Sequence, residues 1–194
     1  MPFFALFLSL IALPAQAAEK EFFVSLGKEK VFVKQQTAAK GAPTLVLLNG
    51  LTYSTEDWDA FVKAVRAQDP SLGILRYDVR GMGKTLLEGP LPVNYQVPHG
   101  LQAEQLSKIL KKLKLGKVHL VGLSYGGGIA VQFAADFPEQ VKTVVLMAPF
   151  TEALEAQDNW IRTQIAYTRI NFPMNPASDD ELYQFFLRQF IYST

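Results

Sequence analysis

Apolar residues along this chain take two alternating forms: short unbroken runs, and longer stretches in which they recur every three or four positions. The runs Glu21–Leu26 and Lys30–Lys34 flank Gly27, a spacing that predicts two short antiparallel strands joined by a turn. Pro43 precedes Thr44–Leu48, an apolar run expected of a strand buried on both faces, which ends at Asn49-Gly50-Leu51-Thr52. Trp58, Phe61, Val62 and Val65 then follow helical spacing, with Ser54 or Thr55 in place to cap. Leu72–Asp78 reads as another strand and leads into the glycine-rich loop Arg80-Gly81-Met82-Gly83. An amphipathic helix over Leu101–Leu115, a strand over Val118–Leu123, a helix from Gly127 to Phe137 stopped by Pro138, and a strand over Val141–Met147 follow in order. Strands separated by helices imply right-handed crossovers, hence an α/β fold: a mostly parallel sheet with helices on both faces. From Thr151 to Thr194 there is no strand pattern. Trp160, Ile161, Ile165, Tyr167, Phe185, Phe186 and Phe190 lie there at helical spacing, which predicts helices.

Composition narrows the chemistry more than the fold. The 194 residues, 49% of them hydrophobic, suffice for one domain with a substantial core. With 19 basic and 18 acidic residues the net charge is +1, so nothing electrostatic argues for nucleic acid or an anionic membrane surface as a partner. The absence of Cys removes disulfides, thiolate nucleophiles and cysteine metal sites, and two histidines are too few for a zinc motif. No metal and no other cofactor is expected. The N-terminal run Met1–Leu13 has an apolar core of about 11 residues, short of the about 20 that span a membrane, and is followed by Pro14 and Ala15-Gln16-Ala17. It resembles a secretory signal peptide, although no Lys or Arg precedes the run. The expectation is cleavage before Ala18, export to the periplasm or the extracellular space, and no integral membrane span in the mature chain.

The chemistry is concentrated at Val118–Gly128. A strand running into Gly122-Leu123-Ser124-Tyr125-Gly126 and then a helix is the layout of a nucleophile elbow, G-x-S-x-G. Ser124 has to occupy a sharp, strained turn, and Gly122 and Gly126 are the positions where a side chain would collide with neighbouring backbone. The N–H of Tyr125 then lies at the start of a helix, where unsatisfied donors and the helix dipole stabilise an oxyanion. Two nucleotide-binding patterns fail. Gly83-Lys84-Thr85 ends like a phosphate-binding loop, but Asp78 stands where its first Gly belongs. Neither Gly81 nor Gly126 opens a G-x-G-x-x-G spacing.

From about Glu21 to its end the chain resembles the α/β-hydrolase superfamily, in the serine-nucleophile branch that carries a helical cap. Leu47-Leu48-Asn49-Gly50-Leu51 is similar to the family's strand followed by His-Gly-x, with Asn49 in place of the usual His. Tyr77-Asp78-Val79-Arg80-Gly81-Met82-Gly83-Lys84-Thr85 is similar to its Y-D-x-R-G-x-G-x-S loop, with Met82 where His is common. Gly122-Leu123-Ser124-Tyr125-Gly126-Gly127 matches the elbow. After the signal-like segment (1–17), the resemblance implies a hydrolase core (18–150) and the start of a cap (151–194). It also implies loop-bracing roles for Asp78 and Arg80. The implied reaction is hydrolysis of an ester-type bond, carboxylic ester or thioester. Ser124 is the nucleophile, the backbone N–H groups of Leu51 and Tyr125 form the oxyanion hole, and water later releases the acid. A Ser at the elbow argues against the branches that use Asp there. The apolar cap hints at a small-molecule substrate with an apolar acyl group.

The family takes an acid and then a histidine from beyond the nucleophile, and no His follows Ser124. His119 lies five residues before it on a strand, roughly 16 Å away at about 3.3 Å per residue, and reads as structural. His99 reads as a loop or helix-start residue. Glu152 and Glu155 fit the acid of some family branches, and equally a solvated cap surface. The expectation is therefore the N-terminal part of a longer enzyme, with its general base and acid beyond the last residue. Such a part would be nearly inactive alone and would leave Val141–Met147 as an exposed apolar edge. Two other readings use the same residues: a binding member of the fold that kept the elbow and lost catalysis, and an acyltransferase or C–C bond hydrolase. The sequence does not set the oligomeric state.

Overall fold

A tight turn at Gly27, whose φ of 73° suits glycine, joins β1 (Lys20–Leu26) to β2 (Glu29–Gln36) as an antiparallel hairpin. This structure is a computed structural model that describes residues 18–85, 98–150 and 153–191. The hairpin is followed by β3 (Thr44–Leu48), α1 (Asp59–Gln68), β4 (Gly73–Tyr77), α2 (His99–Lys112), β5 (Val118–Leu123), α3 (Tyr125–Asp136) and β6 (Val141–Met147). Then come α4 (Ala153–Asn171) and α5 (Asp179–Ile191). The six strands form one sheet in the order β1-β2-β4-β3-β5-β6. β2 pairs with β4 antiparallel, and the β4–β3, β3–β5 and β5–β6 pairs are parallel. The mostly parallel α/β sheet predicted from the alternation of elements is thus observed.

Side chains alternate along the central strands, and each set meets helices on its own face. Val46, Leu48, Leu75, Tyr77 and Leu120 pack with Leu106, Ile109 and Leu110 of α2 and Ile129 and Phe133 of α3. Leu47, Ile74 and Val121 pack on the other face with Trp58 and Val62. From β3 the chain moves to β4 on one side and then crosses to β5 on the other. The order therefore reverses at the C-terminal ends of β3 and β5, where open α/β sheets leave a crevice for ligands. α4 and α5 have a separate cluster of Ile161, Ile165, Leu182, Tyr183 and Leu187. Leu51 touches both this cluster and the α2/α3 core, so the helical pair rests over the end of β3.

Several boundaries move for local reasons. α2 begins at His99 because Pro98, at φ −66°, turns the extended chain into the helix, and it ends before Lys114, whose φ is 54°. α3 starts at Tyr125 rather than Gly127, launched directly by the turn at Ser124. Ser54 does cap, but it caps a short 3₁₀ turn (Thr55–Trp58) ahead of α1, its N–H donating to the Asp57 carboxylate at 2.7 Å. β6 is the exposed edge that was expected, with Val145 50% and Leu146 43% accessible. The aromatics of α4 and α5 divide: Phe186 packs against the cluster, whereas Trp160, Tyr167 and Phe185 are exposed. The signal expectation for residues 1–17 and the side chains of Glu152, Glu155 and Phe190 lie outside the described residues. Among the described residues no helix is long and apolar enough to cross a membrane.

Candidate active site

Ser124 sits between β5 and α3 at φ 51° and ψ −115°, a conformation that L residues seldom adopt. Backbone hydrogen bonds hold it there. Its N–H donates to Met147 O at 2.9 Å, and its carbonyl accepts from Phe150 N–H and Gly127 N–H, both at 2.8 Å. The surrounding glycines are required by space. A Cβ on Gly126 would overlap the Leu48 carbonyl and come within 2.7 Å of Asn49 O; one on Gly122 would meet Gly126 O at 2.5 Å. Gly50 lies against Ser124, its Cβ position 3.7 Å from Ser124 Cβ. The structure thus brings the Gly50-Leu51 loop and the Ser124-Tyr125 turn together, while Tyr125 itself is fully buried.

The loop after β3 is tied down by Asn49, which is fully buried. Its Oδ1 accepts the Trp58 indole N–H at 2.6 Å, and its amide donates to Tyr53 O and Tyr77 O at 3.4 and 3.5 Å. Asp78 braces the neighbouring loops. Its carboxylate accepts Thr55 N–H at 2.7 Å and Lys84 N–H at 2.8 Å, and a side chain on Gly83 would overlap it. Burial pushes the Asp78 carboxyl above the ordinary carboxylate range, against the pull of these two N–H groups. Arg80 forms a two-pronged ion pair with Glu29 at 2.8 and 3.2 Å, and Gln105 donates to the same carboxylate. The bracing roles expected for Asp78 and Arg80 are therefore present. Glu29 and Gln105 gave no sign in the sequence, since 51 and 76 residues separate them from their partners. Asp78→Ala should strand one buried and one partly buried N–H group and cost about 2 kcal/mol of stability, read as a lowered urea midpoint.

Neither histidine hydrogen-bonds Ser124 among the described residues. His119 Nδ1 pairs with Thr143 Oγ1 at 2.7 Å between β5 and β6, as its structural reading required. His99 opens α2 and lies with its ring 4.9 Å from that of Tyr125; its Nε2 fills the space that a side chain on Gly128 would need. Burial lowers the His99 imidazole below its ordinary value of 6.5. The unfolded chain therefore takes a proton near 6.5 that the folded chain takes only at lower pH. The His99 contribution to stability is complete above 6.5 and is lost as pH falls through the depressed folded value. Denaturation midpoints should drop between pH 7.5 and 5, and His99→Gln should flatten that slope.

Family comparison decides what this arrangement belongs to. The profile of the alpha/beta hydrolase fold matches residues 43–191, most of the chain. The chain belongs to the alpha/beta hydrolase fold family. This hydrolase-family chain is 36% identical over 105 residues to a poly(3-hydroxyalkanoate) depolymerase of Ectopseudomonas oleovorans, a match covering 54% of it and 34% of the relative. It is 33% identical over 132 residues to a 2-hydroxy-6-oxononadienedioate/2-hydroxy-6-oxononatrienedioate hydrolase of Paraburkholderia phymatum, covering 68% of it and 44% of that relative. The chain thus spans between a third and half of the length of these curated relatives. Among solved structures it is similar to an alpha/beta hydrolase enzyme from a Medee basin deep-sea metagenome library. The TM-score is 0.62 at 25% identity, covering 88% of this chain and 68% of that one.

Proposed function

We propose that the whole protein hydrolyses an ester-type bond, carboxylic ester or thioester, through Ser124 and an acyl-enzyme. The observation that carries this reading is the backbone of Ser124: a strained turn, clamped by three elements, at the crevice where the strand order reverses. A serine with a purely structural task has no need of that strain. In this reading Ser124 Oγ attacks the carbonyl carbon, and the N–H groups of Leu51 and Tyr125 stabilise the developing oxyanion. Loss of the acyl-enzyme to water completes the cycle. The general base and its acid come from outside these 194 residues, so this chain alone is nearly inactive. The poly(3-hydroxyalkanoate) depolymerase among its relatives favours an ester. A second reading, cleavage of a carbon–carbon bond on the same fold, is favoured by the relative named for an oxo-dienedioate. The acyl group is apolar, and the protein acts after export and loss of residues 1–17.

The test is a rapid acid quench of the full-length protein during turnover of p-nitrophenyl butyrate, followed by mass analysis of the peptide containing Ser124. A butyryl adduct on that peptide, with a matching burst of nitrophenol, is the expected result. Turnover of an oxo-dienoate without ester cleavage would favour the second reading. Absence of both activities from folded full-length protein would leave a binding member of the fold. N-terminal sequencing of exported protein should begin at Ala18.

A further inference from the structure

The loop after β3 holds a strain of its own beside that of Ser124. Tyr53 N–H donates to Gly50 O at 3.2 Å, which closes a β-turn over Gly50-Leu51-Thr52-Tyr53. Thr52, the third residue of that turn, has a φ of 70°. Turns with a left-handed third residue take glycine there, and a β-branched side chain in that region is an outlier. The other non-glycine residues with positive φ among the described residues, Lys114, Ser124 and Ala148, are not β-branched. The turn also faces the candidate site, since the Cβ position of Gly50 is 3.7 Å from both Ser124 Cβ and Tyr53 Cδ2.

Backbone strain persists only where the surroundings hold it. Two holds are present. The Asn49 amide donates to Tyr53 O at 3.4 Å and fixes the end of the turn. The Leu51 side chain packs on one side against the α2/α3 core and on the other against the cluster that α4 and α5 share. Among the described residues it is the one partly buried hydrophobic that touches both clusters. A contact that served packing alone would need no left-handed neighbour, whereas a backbone group that must point one way does.

We propose that the Leu51 side chain is a positioning group. Wedged between α4, α5 and the core, it holds the strained turn and so keeps the Leu51 N–H aimed at the oxyanion formed beside Ser124. The inference rests on the ester-hydrolysis reading above, in which that N–H is a donor. Releasing the side chain lets Thr52 return to an ordinary backbone region, which turns the Leu51–Thr52 peptide and shifts the donor. The helical pair thereby acts on the rate of the chemical step, through a residue that need not touch substrate with its side chain.

The test follows p-nitrophenyl butyrate turnover by the full-length protein, by Leu51→Ala and by the double variant Leu51→Ala/Thr52→Gly. Leu51→Ala keeps the N–H and removes the wedge. Its kcat should fall tenfold or more with KM within twofold of the parent, because donor placement acts on the transition state. Adding Thr52→Gly should recover at least threefold of that loss, since glycine occupies φ 70° without strain and the drive to leave the turn is gone. Lost packing alone predicts no rescue, for glycine adds no contact. Circular dichroism and urea midpoints establish that each variant is folded. Should Leu51→Ala not fold, Leu51→Val, which removes one methylene, is read in the same way with a threefold loss. A folded variant with kcat within twofold of the parent, a change confined to KM, or a fall in kcat that Thr52→Gly leaves untouched overturns the proposal. Those outcomes leave the ester reading standing, because the parent is then active. A folded parent whose turnover is absent, or is unaltered by Ser124→Ala, removes the ester reading and this inference with it.

Discussion

Ser124→Ala in the full-length protein should abolish labelling by a fluorescent fluorophosphonate probe and lower ester hydrolysis by about a thousandfold or more. The substitution removes only the hydroxyl oxygen. Alanine carries the same Cβ at φ 51°, so the strain of the turn is unchanged, and the bonds from Ser124 to Met147, Gly127 and Phe150 all run through backbone. Circular dichroism and denaturation midpoint should therefore match the parent. That combination separates chemistry from folding. Labelling that persists at another residue in the Ser124→Ala protein, with hydrolysis intact, would move the nucleophile elsewhere and remove the mechanism proposed above. The residual rate expected in the variant comes from binding and the oxyanion donors, which do not need the hydroxyl.

The second large effect is on stability. Gly126→Ala should cost about 3 kcal/mol or more, enough to unfold a marginal domain or to send it to inclusion bodies. The added methyl would overlap the carbonyl of Leu48 and approach Asn49 O, and both belong to backbone rather than to side chains that can rotate away. Leu48 ends β3, which is paired on both sides, so relief requires moving a central strand. Gly116→Ala is the control, because nothing lies within 4 Å of its Cβ position. Its effect should stay within about 0.5 kcal/mol. Thermal or urea unfolding of the two variants side by side decides the matter. A Gly126→Ala protein as stable as the Gly116→Ala protein would mean that the crossing of α3 over β3 is looser than the structure shows.

Much of the architecture could be read from local pattern. Thr44–Leu48 and Val141–Met147 were placed to the residue because each is a short run, apolar throughout most of its length, bounded by Pro43 and Asn49 in the first and by Pro138 and Pro149 in the second. Helix starts were less legible. The helix after Ser124 is expected to start at Gly127, since glycines weaken helices, yet close packing of α3 on β3 makes Tyr125 and Gly126 its first turn. Of the site, Ser124 and its glycines declared themselves because the spacing G-x-S-x-G has a steric cause within one stretch of chain. Gly50 beside Ser124, the hold of Asn49 on Trp58, and the Arg80–Glu29–Gln105 brace had no such signal.

The division has a physical origin. Periodicity, glycine placement and charge balance are properties of neighbouring residues. They were enough for an alternating α/β chain, a glycine-flanked turn at Ser124 between a strand and a helix, and no electrostatic case for nucleic acid. Pairs distant in sequence depend on how the sheet is ordered. The reversal between β3, β4 and β5 puts the Gly50 loop against Ser124. The docking of α4 and α5 over the end of β3 sets Leu51 between two apolar clusters. Neither juxtaposition exists until long-range packing has set the strand order, because each joins side chains that no local rule relates.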